Sequence, residues 1–182
     1  MDRMKSSFDI KALNSDDGTF SGYGSVFGNI DSHGDIVDKG AFNDTIAESQ
    51  SNGRWPAMLL QHGVGPATED ALPVGIWTSL KEDDTGLYLE GKLAATQRGC
   101  DLYALMKMTP RAALNGLSIG YQAKRFTIHG RTDKARRTLQ SVKLFEVSLV
   151  SDPSNTLATV RRVKSISHNT DDTRSLCVHW HR

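Results

Sequence analysis

The sequence is poor in every feature that marks a specialised class of chain. Two cysteines, Cys100 and Cys177, occur in 182 residues. They lie far apart and have neither metal-ligand nor redox spacing, so no disulfide scaffold is expected and a reduced, intracellular setting fits. No apolar run approaches the roughly 18–20 residues of a membrane helix; Ala57-Met58-Leu59-Leu60 is among the longest. Met1-Asp2-Arg3-Met4-Lys5 carries charge with no apolar stretch behind it, so no secretory signal is expected. Excess charge of one sign is missing too. The 22 Lys+Arg against 21 Asp+Glu leave a net charge of +1, which provides no global field for nucleic acid. No repeat or low-complexity segment appears. Neither a membrane nor a nucleic acid is an expected partner, and no cofactor or metal is expected.

What remains is an ordinary globular composition, with 38% hydrophobic residues and 16 glycines. Its length suits one domain, which should bury about 70% of its unfolded surface and fold without staples. Alternation over 8–13, a turn at Asp16-Asp17-Gly18 and a run over 19–27 read as a hairpin. Gly22 and Gly24 suggest a bend or close backbone approach in that second strand. The spacing predicts helices over 41–51 and 97–108, and a short strand over 57–61 that ends at His62. A loop over 64–73 leads to a second hairpin, 74–82 and 87–94, turned at Asp83-Asp84-Thr85-Gly86. Strands over 116–128 and 138–151 flank a basic turn carrying Arg131, Lys134, Arg136 and Arg137, read as a solvated hairpin tip. The expected fold is mainly β with peripheral helices (α+β), built on an antiparallel, closed or nearly closed β-barrel core. Residues 1–163 form the expected domain. Residues 164–182, polar and without period, form an expected mobile tail.

Three residues could do nucleophilic chemistry, which needs a hydroxyl, an imidazole base and a group that orients the imidazole. Ser118 lies in Gly116-Leu117-Ser118-Ile119-Gly120-Tyr121, where period two puts Ser118, Gly120 and Gln122 on one face. Glycine beside the serine should leave open space for a substrate backbone; a locally hydrogen-bonded strand serine is the plain alternative. His62 ends an apolar strand beside a loop, a placement shared by catalytic and merely half-buried histidines. Glu146 sits in Val142-Lys143-Leu144-Phe145-Glu146-Val147-Ser148-Leu149-Val150, on a face with Val142, Leu144, Ser148 and Val150. Burying that carboxylate is costly without a partner. The partner is either an arginine, Arg125 or Arg98, in a structural ion pair, or His62.

The order of motifs resembles the tailed-phage prohead proteases, capsid-maturation serine peptidases akin in fold to the herpesvirus assemblins. The resemblance rests on Gly22-Tyr23-Gly24-Ser25-Val26-Phe27, Asp31 with Gly34-Asp35-Ile36-Val37, Gly40-Ala41-Phe42, Leu59-Leu60-Gln61-His62 and Val74-Gly75-Ile76-Trp77. It continues through Asp84-Thr85-Gly86-Leu87, the Ser118 and Glu146 segments and Pro153-Ser154-Asn155, covering about 20–158. The resemblance implies an assemblin-like barrel and a serine endopeptidase that cleaves capsid scaffold protein, and itself where self-cleavage operates, through an acyl-enzyme. It maps the nucleophile on Ser118, the base on His62 and the third member on Glu146. One departure is that Gly63 and a longer loop follow the histidine, where the family commonly has an acid and a short loop. The implied substrate is the major capsid protein or its scaffold domain, met in the host cytoplasm inside the procapsid, and self-association is compatible. The rival reading is a non-catalytic, protease-like assembly module. An α/β-hydrolase is disfavoured, because no Gly-x-Ser-x-Gly elbow occurs in strand–turn–helix context.

Overall fold

The computed structural model describes residues 18–65 and 71–163. The strand expected over 8–13 and the tail at 164–182 lie outside them. In chain order the elements are β1 (Thr19–Val26), β2 (Asp35–Val37), α1 (Asn43–Asn52), β3 (Ala57–Leu60), β4 (Gly75–Glu82) and β5 (Gly86–Leu93). They continue with α2 (Gln97–Met106), β6 (Gly116–Ile128), β7 (Arg137–Val150) and β8 (Val160–Val163). No helix among the described residues is long and apolar enough to cross a membrane.

Local chemistry explains the hairpins and helix ends. Asp83 turns β4 into β5 by accepting the N–H groups of Thr85 and Gly86 at 2.7 and 3.1 Å, the self-bonding that favours aspartate in turns. Thr96 caps α2 by accepting from Gly99 N–H. The start of α1 has no cap of its own from Phe42. Glu82, at the end of β4, supplies one by accepting from Gly40 and Phe42 N–H at 2.6 and 2.7 Å. Gly53 ends the helix at φ 68°.

All eight strands belong to one sheet with the path β2-β7-β3-β4-β5-β1-β8, and β6 lies along β7. β7 organises the arrangement. β6 pairs antiparallel with it from Gly116↔Val150 to Ile128↔Arg137, while β2 and β3 pair with it in parallel, at 137–139 and 146–149 respectively. Between those two short partners, α1 and the turn before it satisfy the backbone of β7. Val142 N–H donates to Ala41 C=O, and the Thr45 hydroxyl donates to Val142 C=O and accepts from Leu144 N–H. A buried strand requires that its polar groups be paired in this way.

The sheet is mainly antiparallel, as expected, with β2 and β3 added to β7 in parallel. It does not close into the expected barrel. β8 pairs with β1, but only an isolated bridge, Gly116↔Thr159, and two flanking backbone bonds (Leu117 N–H to Ala158 C=O, Val160 N–H to Asn115 C=O) join that end to β6. At Gly22 the backbone of β1 runs against Thr159 C=O and Val160, leaving no room for a Cβ. Curvature of the sheet wraps a core of Phe42, Met58, Trp77, Leu87, Leu89, Leu117, Leu139 and Leu149. Phe20 meets Trp77 edge-on at 5.5 Å, and the Trp77 indole N–H donates to Val147 C=O, so even the largest core ring is polar-satisfied. The basic turn is only partly the solvated tip expected. Arg131 and Lys134 are exposed, but Arg137 begins β7 and grips Asp35 of β2 with two bonds of 2.7 Å.

Candidate active site

The β6–β7 ladder sets the frame. Ser118 lies opposite Ser148, and Gly120 lies opposite Glu146. Cross-strand partners point to the same face, so one face presents Ser118, Ser148 and Glu146 together. On the other side of β7, Leu59 and Leu60 of β3 align with Ser148 and Leu149. The chain then turns sharply over Gln61–Gly63. Gln61 and His62 both take left-handed backbone conformations, φ 49° and 60°, which cost a non-glycine residue about 1–2 kcal/mol. Strain of this kind persists only where surroundings enforce it and gathers at functional sites. Here Gln61 is held by its side-chain amide, which donates a hydrogen bond to the Ser151 hydroxyl, and the turn swings the His62 imidazole back over β7.

His62 Nδ1 lies 2.7 Å from Glu146 Oε1. The second carboxylate oxygen, Oε2, accepts a short bond from the Ser148 hydroxyl. Glu146 is 9% exposed. Of the partners expected for it, the structure gives His62; Arg125 instead donates to Gln140 C=O. The hydrogen bond His62 donates to Glu146 raises the His62 pKa above its ordinary value near 6.5; burial opposes this, and charge attraction adds to it. With Nδ1 engaged by a carboxylate, the imidazole keeps Nε2 for chemistry. Ser118 and His62 line one cavity of about 80 Å³, together with Ser25, Asp31, His33 and Asn155.

Loops fix the far wall of that cavity. Ser32 N–H donates to Ser154 C=O, Asn29 donates to Asn155 Oδ1, and the Ser154 hydroxyl lies 3.2 Å from His33 Nε2. Below it, Asp35 takes the bidentate Arg137 contact and the Tyr121 hydroxyl at 2.8 Å. Burial alone would raise the Asp35 pKa, but the bonds from Arg137 and Tyr121 outweigh it and hold the carboxyl below its usual range. Burial, then the bond to Asp35, push the Tyr121 phenol up. Among the described residues, no three His, Cys, Asp or Glu side chains gather where a metal ion could sit.

Residues 6–172 match the model of the Caudovirus prohead serine protease family. The chain belongs to this family. It is also 36% identical over 152 residues to the prohead protease of Enterobacteria phage HK97, an alignment covering 82% of this chain and 61% of that protein. The chain thus spans about three fifths of the relative's length.

Within this prohead protease fold, sequence reasoning named Ser118, His62 and Glu146 but missed other parts of the site. It expected open space beside Ser118 on the Gly120 side, whereas the Glu146 carboxylate lies there. Ser148 was visible on the Glu146 face by period two, yet nothing in its identity marked it as the carboxylate's partner. The Asp35–Tyr121–Arg137 cluster joins positions from three strands, and no local pattern connects them.

Proposed function

We propose that this chain is the serine endopeptidase of phage capsid maturation, using Ser118 as nucleophile, His62 as general base and Glu146 as the group that orients His62. The His62–Glu146 contact, with His62 and Ser118 lining one cavity, carries this reading. Glu146 holds Nδ1–H, so Nε2 takes the Ser118 proton as its oxygen attacks the scissile carbonyl. The resulting imidazolium is stabilised by the adjacent carboxylate and returns the proton to the leaving amine. Water then repeats the sequence on the acyl-enzyme. Family membership supports the capsid protein or its scaffold domain as substrate, the procapsid in the host cytoplasm as the place of action, and self-cleavage or self-association during assembly.

The test is co-expression with the phage's own capsid protein, with fluorophosphonate labelling of the purified chain. Unsubstituted protein should process the partner and take up label. Ser118→Ala should fold, since it loses one oxygen, and should lose activity by several powers of ten, as expected when one member of a cooperating set is removed. A folded Ser118→Ala protein that still cleaves would end this reading. Absence of both cleavage and labelling in the unsubstituted chain would favour a non-catalytic assembly module.

A further inference from the structure

Building on the assignment of His62 and Glu146 above, we infer that Gly120 and Ser148 are positioning residues. The bare backbone at 120 gives the Glu146 carboxylate its resting place, and the Ser148 hydroxyl fixes which oxygen faces His62.

A glutamate in the middle of a strand ordinarily stands off the sheet. Glu146 instead lies down across its ladder partner. A Cβ added at Gly120 would collide with Glu146 Oε1 and come within 2.8 Å of Cδ and 2.9 Å of Cγ. All three atoms belong to one flexible side chain, so the collision is relieved by moving the carboxylate rather than the backbone. The backbone conformation at 120 does not itself bar a side chain, because Gly120 is not among the glycines with positive φ. The ladder register shifts between Gly120 and Tyr121, and at this irregularity the Glu146 carboxylate occupies the space a Cβ would take.

Ser148 acts on the other oxygen. It is fully buried, faces Ser118 across the ladder, and its hydroxyl donates to Oε2. A carboxylate with Oε2 held in this way cannot rotate without breaking a buried hydrogen bond, and Oε1 stays directed at Nδ1. The two residues work differently: Gly120 leaves the space, and Ser148 sets the rotation within it.

The experiment follows the His62 ring protons by NMR against pH in the full chain carrying Ser118→Ala, which removes self-cleavage. Glu146→Gln in that background gives the reference for an imidazole without its carboxylate. Adding Gly120→Ala should keep the melting temperature within a few degrees and move the His62 pKa down toward that reference. Adding Ser148→Ala should move it in the same direction by less. With Ser118 intact, Gly120→Ala should lower kcat about a hundredfold at nearly unchanged KM, the scale of loss for a small misplacement of catalytic groups. A folded Gly120→Ala protein with an unmoved His62 titration overturns the role of Gly120. If that variant does not fold, Ser148→Ala decides alone, and an unmoved titration there overturns the proposal. A Glu146→Gln protein whose His62 titrates as before overturns the His62–Glu146 assignment itself, an outcome distinguishable from failure of the positioning residues.

Discussion

Glu146 joins a buried carboxylate to an imidazole that is only partly covered, and the pH dependence of their contact follows from that arrangement. The His62 pKa is raised in the fold. Its contribution to stability is therefore fully present below its unfolded value and is lost as pH rises through the folded value. Glu146→Gln should lower the melting temperature more at about pH 5.5 than at about pH 9. With His62 as the proposed base, the acidic limb of the kcat/KM profile should also move to lower pH, because His62 loses the bond that raises its pKa. Equal losses of melting temperature at both pH values would show that the pair does not contribute in this way. Ser25 poses the opposite case. Its hydroxyl is buried without a hydrogen-bond partner, and the residue lines the cavity shared by Ser118 and His62. An unsatisfied buried hydroxyl costs about 1–3 kcal/mol, so Ser25→Ala should hold or raise the melting temperature in calorimetry. A clear fall would show that the hydroxyl has a stabilising partner in solution.

At the scale of elements, the start of α1 depends on a carboxylate from another strand. Glu82 of β4 accepts two N–H groups there, and charge-assisted bonds of this kind contribute about 1.5–3 kcal/mol. Glu82→Ala should therefore lower the melting temperature by about 4–8 °C, taking roughly 2 kcal/mol and the sensitivity of a chain this size. It should also loosen the α1 contact with β7 made through Thr45; amide exchange at Leu144 would report that. The β4–β5 hairpin and α2 were legible in the sequence because their signals are local: Asp83 to Gly86 for the turn, the apolar spacing over 97–108 for the helix. The parallel docking of β2 and β3 was not. These strands have three and four residues, too few for a period, and their partner lies far along the chain. Closure was misjudged for a related reason, since it depends on what joins β8 to β6, and one bridge does not extend into a ladder. Glu146 stood out because a carboxylate among valines and leucines is costly unless paired. Serine at 148 did not, because serine gives no such signal in a strand, and glycine at 120 read as open space because only the register shows which side chain lies over it.

For the whole molecule, the described fold closes its last ladder at Val163, where β8 meets Phe20 of β1. A chain truncated after Val163 should keep its melting temperature and the proposed peptidase activity, and an insoluble product would show that later residues complete the core. The parallel docking of β3 also orders events in time. The hairpin of β6 and β7 brings Ser118 and Glu146 onto one face through contacts near in sequence, whereas His62 stands 84 residues from Glu146. Local pairings form ahead of distant ones, which must first meet the entropy of closing a long loop. During refolding, fluorophosphonate labelling should therefore lag behind the β-sheet signal in circular dichroism. A newly made chain would present Ser118 and Glu146 together before His62 arrives, so the proposed triad would stay incomplete, and the chain inert, until β3 docks.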